Sequence, residues 1–174
     1  MKQLQGQMFT SDHRKYFNGH TLASVPFEFV ARLGELKVSS YEGDVMAVFQ
    51  NIQEMCDEAE EYIWRLTDSH LNLIYPNLQA AADRGVEYLL IEPEVLVETP
   101  HVEKMPLVKP GEIRGLENVD VFMAISEKEV AALAFHEVTG GFDYLGFTSR
   151  DEKTLKWCTE LFQYYWGKAK PKIY

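Results

Sequence analysis

"EYIWRLTDSHLNLIYPNLQAAADRGVEYLLI" spans residues 61–91, and its reading decides the fold class. Tyr62 to Leu66 alternates in the manner of a strand. Leu71 to Arg84 places Leu78, Ala81 and Ala82 at helical spacing, and Gly85 stops that helix. Val86 to Ile91 then reads as a strand buried on both faces. Immediately upstream, Val45, Val48, Phe49, Ile52, Met55, Cys56 and Ala59 form a long helical stripe. Helix, strand, helix and strand with short connections is the pattern of an α/β protein, and the link between its two strands should be right-handed.

Toward the N-terminus, residues 1–24 are polar with a few aromatics (Phe9, Tyr16, Phe17) and read as a lead-in or linker. Ser24-Val25-Pro26 opens a short helix with Phe29, Val30 and Leu33 on its apolar side, ended by Gly34. Leu36 to Tyr41 has the character of a strand. Toward the C-terminus, residues 93–111 carry Pro93, Pro100, Pro106 and Pro110 and predict a loop or short helical excursion. Up to four strands follow: Glu112–Leu116, Val119–Ile125, Val130–Phe135 and Phe142–Phe147. Ser149 and Glu152 fit a capping box for a last helix over 150–166. Its core stripe is Leu155, Cys158, Leu161, Phe162 and Tyr165, flanked by Trp157, Tyr164 and Trp166. Gly167 and Pro171 stop it, with Lys168, Lys170 and Lys172 at its negative end. The expected architecture is α/β: a mixed sheet with helices packed on it, a single domain over 25–174, closed by an aromatic C-terminal helix. Those three flanking aromatics exceed what one lid requires, which predicts a homodimer through the outer edge of that helix.

The chain has 174 residues and a formal net charge of −10, with its basic residues scattered apart from the lysine tail. A nucleic-acid backbone needs a positive face, so direct DNA binding by this chain is not expected. Nothing in the sequence is long and apolar enough for a membrane span, and the first residues do not form a signal peptide. Cys56 and Cys158 fall in separate helical patterns, which predicts free thiols and a cytoplasmic location.

Glycine-rich phosphate loops, C-x-x-C, H-E-x-x-H and G-x-S-x-G are all missing. The five histidines are His13, His20, His70, His101 and His136, with no metal-binding spacing in the sequence. His136, at a strand end, reads as structural. His70 and His101 are better placed. His70 follows the strand "YIWRL" within "TDSH", and ligands of open α/β sheets sit beyond the carboxyl ends of parallel strands. The expected ligand-binding set is therefore Trp64 as a wall, the polar run Thr67, Asp68, Ser69 and His70, and Glu92 and Ser126 at the ends of their strands. Asp68 or Ser69 as a plain helix cap is the competing reading. Arg114 is an isolated cation, suited to a surface ion pair or an anion. Asp57, Glu58, Glu60 and Glu61 form a charge run that reads as a solvated helix end, since hard-cation sites need converging oxygens. No metal, cofactor or catalytic residue is assigned.

Residues 41–91, from "YEGDVMAVF" to "RGVEYLLI", resemble the effector domains of archaeal TrmB-type regulators, which have a phospholipase-D-like α/β fold. "VPFEFVARLGEL" and "VDVFMAISEKEVAALAFHEVTGGFDYLGFTSRDEKTLKWCTELFQYYW" are similar to the effector domain of archaeal winged-helix regulators of the methanogenesis-regulator type. The second likeness rests on Phe142-Asp143-Tyr144, on Ser149 to Asp151, and on Trp157, Glu160, Leu161, Phe162, Tyr164 and Tyr165. Together they cover about residues 24–167. Two departures bear on function. Phospholipase-D enzymes carry an H-x-K-x-x-x-x-D nucleophile motif, and no histidine here begins one. The regulators also carry an N-terminal winged helix, for which residues 1–24 are too short and polar. The resemblance implies a non-catalytic, ligand-sensing effector domain responding to an unidentified small molecule, with DNA contacted only through a winged-helix domain outside this chain. Two other readings stand beside it: a small α/β enzyme with an Asp68/His70 acid–base cluster, and a dimerisation module.

Overall fold

The computed structural model describes residues 11–107 and 112–171; Phe9, Pro110 and Lys172 lie outside the described residues. The chain runs α1 (Ser11–Gly19), α2 (Phe27–Ala31), a 3₁₀ turn (Leu33–Leu36), β1 (Ser40–Glu42), α3 (Val45–Glu58) and β2 (Tyr62–Leu66). A 3₁₀ turn (Asn72–Ile74), α4 (Tyr75–Asp83), β3 (Glu87–Pro93), α5 (Glu94–Val97) and a 3₁₀ turn (Val102–Lys104) follow. The second half holds β4 (Ile113–Leu116), β5 (Val121–Ser126), β6 (Val130–Phe135), β7 (Gly146–Ser149), α6 (Glu152–Lys168) and β8 (Lys170–Pro171).

All eight strands join one sheet in the order β1-β7-β6-β5-β2-β3-β4-β8. Only β2–β3 and β3–β4 pair in parallel. β5 lies antiparallel to β2, with Ser126 opposite Ile63. The expected mixed α/β sheet is thus the observed one, and its parallel part is built by residues 61–91 together with β4.

Alternation along β2 divides the core. Tyr62, Trp64 and Leu66 face a cluster containing Trp157, Leu161 and Phe162 of α6 and Phe29 of α2. Ile63 faces the opposite cluster, with Val48, Ile52 and Met55 of α3 and Leu78 and Ala81 of α4. Helices therefore cover both faces, which is why β5 and β6 are buried at every position.

Several local expectations are corrected. Residues 11–24 are not a loose lead-in: α1 inserts His13, Tyr16 and Phe17 into the core, and the Tyr16 hydroxyl accepts from the Phe135 amide at 2.9 Å. Two aromatics and a histidine one helical turn apart suffice for that docking. Leu36 closes a 3₁₀ turn instead of opening a strand, so β1 starts only at Ser40. The stretch from Phe142 to Leu145 is not a strand, because Tyr144 turns the chain with φ 64°. β7 starts at Gly146, where an added Cβ would lie 1.9 Å from the Leu133 carbonyl oxygen; only glycine admits that approach of β7 to β6. The cap of α6 is Asp151, which accepts from the Lys153 and Thr154 amides at 3.1 and 3.2 Å. Ser149 instead accepts from Asp151 N, one step too early to cap the helix itself. Ser24 does not cap α2, which follows Pro26 with no side-chain cap.

The aromatic surplus of α6 is also used within the chain. Trp157 has no exposed surface, and its indole donates to the Phe29 carbonyl at 3.1 Å. Tyr164 packs edge-on against Phe29. Trp166 stacks on Phe162 and lies 4.1 Å beneath the Arg114 guanidinium, which also donates to the Trp166 carbonyl. Arg114 thus closes the C-terminal end of α6 and takes neither of its two expected roles. A dimer interface built on Trp157 is excluded, because α2 already covers it.

Candidate functional site

The parallel strands β2 and β3 end at Leu66 and Pro93, and Thr67 extends their ladder by donating to the Ile91 carbonyl at 3.0 Å. Beyond them the chain turns sharply. The Thr67 hydroxyl donates to the Ser69 carbonyl at 2.9 Å, a side-chain turn that frees the next residues from both sheet and helix. Asp68 and Ser69 then meet Tyr144, whose hydroxyl donates to Asp68 Oδ1 and accepts from Ser69 Oγ, each at 3.0 Å. Neither residue caps a helix: the next 3₁₀ turn and α4 have no side-chain cap. The left-handed backbone of Tyr144 costs on the order of 1–3 kcal/mol, and these two bonds help to hold it.

His70 leaves this loop on the other side. Its ring stacks on His101, with centroids 3.5 Å apart and planes 21° from parallel. His101 Nε2 lies 3.3 Å from Glu92 Oε2 at the end of β3. Glu92 is fully buried, and its Oε1 lies 2.6 Å from the Lys104 ammonium. That ammonium also donates to the carbonyls of Leu96, Val97 and Thr99 at 2.5–2.8 Å. With four oxygens around it, Lys104 is a pin holding α5 to the strand end, with no donor to spare for an anionic ligand.

A second buried charge pair lies beside the first. Arg65, on β2, pairs with Glu103, and neither side chain has exposed surface. Glu103 also accepts from the Tyr88 hydroxyl and from the Leu71 amide, both at 2.9 Å. The 3₁₀ turn at 102–104 therefore sends one acid to β2 and β3 and one base to Glu92. The two pairs sum to zero charge, as a dry interior demands.

Burial, followed by the charge of Lys104, lowers the His70 pKa. His101 falls to about 4 through burial first, then through His70, Lys104 and Arg65. Both rings are thus neutral at pH 7. His70 Nε2 and His101 Nδ1 are buried with no hydrogen-bond partner among the described residues. His70, Glu92 and His101 offer donor atoms within 4.8 Å of one another, the one such group of three among the described residues. Outside His101 and Lys104 lies a cleft of about 270 Å³, walled by Val97, Pro100, Met105, Leu107 and Ile113.

Of the expected set, the structure places Thr67, Asp68, Ser69, His70 and Glu92 at the carboxyl ends of β2 and β3, but Asp68 and Ser69 turn to Tyr144, His70 and Glu92 turn to His101, and none of the five lines the cleft. The other two lie apart. Trp64 lies on the other face of the sheet, stacked on Phe162 at 5.1 Å, its indole donating to Glu87. Period-two alternation puts Trp64 and Arg65 on opposite faces, so a wall for this rim had to be sought elsewhere. Ser126 sits at the opposite end of the sheet, because β5 runs antiparallel to β2. At 3.3 Å per residue, that is roughly 13 Å from Thr67. Asp68 and His70 are not joined into an acid–base pair: Tyr144 holds one and His101 the other. Arg65, Glu103, Lys104 and Tyr144 went unrecognised in the sequence. Arg65 had a signal, since a cation inside a buried strand demands a partner; Glu103 had none.

No protein-family model and no curated protein matches the sequence. Solved structures do match. The chain superposes with a TM-score of 0.62 and 24% identity on the structure of TrmBL2, an archaeal chromatin protein described as showing a novel mode of DNA binding, covering 83% of this chain and 58% of that one. It therefore spans little more than half the length of TrmBL2. A second match, with a TM-score of 0.51 and 16% identity, is Nuc, a phospholipase D family member from Salmonella typhimurium, covering 78% of this chain and 97% of that one. The fold of this chain is accordingly the phospholipase-D-like α/β fold that it shares with TrmBL2 and Nuc.

Proposed function

We propose that this chain is the ligand-sensing, non-catalytic effector module of a transcriptional regulator, and that its ligand occupies the rim at the carboxyl ends of β2 and β3. The observation that carries this is the state of the polar groups there. Arg65 is ion-paired with Glu103 and Lys104 with Glu92, although Arg65 Nε and Nη2 have no hydrogen-bond partner among the described residues, and the hydroxyl of Tyr144 is bound to Asp68 and Ser69. Two neutral imidazoles keep a nitrogen unpartnered among the described residues, and one of them, His101, lines a cleft of mixed apolar and polar walls. That suits binding: a few placed polar groups among apolar ones. It does not suit phosphodiester cleavage, since the H-x-K-x-x-x-x-D motif of phospholipase-D enzymes is missing and Asp68 and His70 are held apart. The likeness to TrmBL2 supports the regulatory half of the reading, with DNA contact made by a winged-helix domain outside these residues.

The route for a signal is the loop 67–70. Tyr144 ties it to the segment before β7, and the Glu103 bond to Leu71 N ties it to α5 and the turn after it. A ligand that prefers one arrangement of this loop shifts the population of both segments. A thermal-shift screen of small metabolites tests this, followed by native mass spectrometry on His101→Ala. Stabilisation by a compound that the variant no longer binds is the expected result. Turnover of an activated phosphodiester that Asp68→Ala or His70→Ala abolishes would replace the sensing reading with the enzymatic one.

A further inference from the structure

We propose that His70, His101 and Glu92 form a binding site for one divalent transition-metal ion. This deepens the ligand-binding reading of the same rim and does not depend on the regulatory role. The donor atoms lie within 4.8 Å of one another, whereas two donors on one ion at 2.0–2.1 Å lie no more than about 4.2 Å apart. The set therefore closes to the tetrahedral edge with a reorientation of His70 and movements of up to about 0.7 Å in each donor atom. The 3.3 Å between His101 Nε2 and Glu92 Oε2 is long for a charge-assisted hydrogen bond. It is close to the roughly 3.3 Å edge of a tetrahedral nitrogen–oxygen pair at those bond lengths. His70 Nε2 is buried with no partner among the described residues, the condition of a ligand waiting for an ion.

The surroundings favour an ion of a particular kind. Two neutral imidazoles and one carboxylate suit zinc, nickel, copper or iron(II) over magnesium or calcium, which require oxygen. Lys104 holds Glu92 Oε1 and leaves Oε2 turned to His101, as an outer group that orients a ligating carboxylate does. Its positive charge also opposes the ion, so the affinity should lie below that of closed structural zinc sites. The stacked rings set a geometric condition. Parallel imidazoles cannot both aim their lone pairs at one point, so binding tilts His70 out of its stack on His101.

Zinc alone is the probe. Calorimetric titration of the metal-free wild-type chain is expected to show one ion per chain, released protons being few because both rings start neutral. Binding should weaken by about tenfold or more in His70→Ala and in His101→Ala and be unchanged in His136→Ala. Cobalt(II) should give the intense visible bands of a four-coordinate site. Should the alanine variants fail to fold, pulsed paramagnetic resonance on copper-loaded wild type counts the bound imidazoles directly, and two are expected. No uptake up to about millimolar zinc, uptake that both variants retain at full strength, or fewer than two imidazoles on copper would each overturn the site. A chain that takes no metal but still binds an organic compound through His101 would leave the sensing reading intact. A chain that takes zinc and no organic compound would sink that reading while keeping the metal.

Discussion

The most consequential residue pair is Arg65 and Glu103. Both are fully buried, and Glu103 also satisfies Tyr88 and the Leu71 amide. Removing one partner strands a charge in the interior. Glu103→Ala should therefore cost about 3–5 kcal/mol in chemical denaturation, while a double replacement by apolar residues of similar volume should cost far less. Equal losses in the single and double variants would show that the pair contributes by volume and not by charge. The histidines give a pH signature. The folded pKa of His101 lies near 4, below the ordinary 6.5 of the unfolded chain. Between those values the unfolded chain binds the proton and the folded one does not. The contribution of this ring to stability is thus fully present above about pH 6.5 and lost as pH falls toward 4. His70 shifts in the same direction. The midpoint of thermal unfolding, followed from pH 7 to pH 4, should fall less steeply in His101→Gln than in wild type. Parallel slopes would contradict the assignment of a neutral ring.

At the scale of elements, α6 is a lid that buries Trp157 fully and leaves Tyr164 and Trp166 half-buried against partners in the same chain. Trp157→Ala opens a cavity between α6 and α2 and removes the indole bond to the Phe29 carbonyl, which keeps the Arg32 amide, and should cost about 3–5 kcal/mol. Trp166, part-covered by Arg114, should cost clearly less when replaced by alanine. If equilibrium unfolding ranks the two in reverse, the packing described for the lid is wrong. These elements show what was legible in the sequence. The helix and the two strands of residues 61–91 could be read because their periods, 3.6 and 2, are local properties of the chain. The docking of α1 could not, because Tyr16 meets Phe135 across more than a hundred residues. The segment 142–145 differs for a related reason: its aromatic content suggests a strand, while a hydroxyl reaching Asp68 and Ser69 holds Tyr144 in a left-handed turn. The rim was legible as a place, since strand ends collect ligands in this class of sheet. Its membership was half legible. Ser126 failed because strand direction is a property of the sheet, and Glu103 was invisible because its partners lie in β2, β3 and the turn before α4.

For the whole molecule, the charge of −10 and the fold make separate statements. The fold is shared with a protein whose structure is described in terms of DNA binding, yet phosphate contacts need a positive face. These residues alone should therefore show no sequence-specific mobility shift at physiological salt; a submicromolar shift lost at high salt would overturn that. The central claim is that the rim of β2 and β3 binds a small ligand and performs no phosphodiester chemistry. Native mass spectrometry of the chain after incubation with a small-molecule cell extract and gel filtration tests it most directly. A discrete added mass is expected on wild type and not on His70→Ala/His101→Ala at equal folded fraction. Bare protein in both samples, or the same added mass in both, would contradict it.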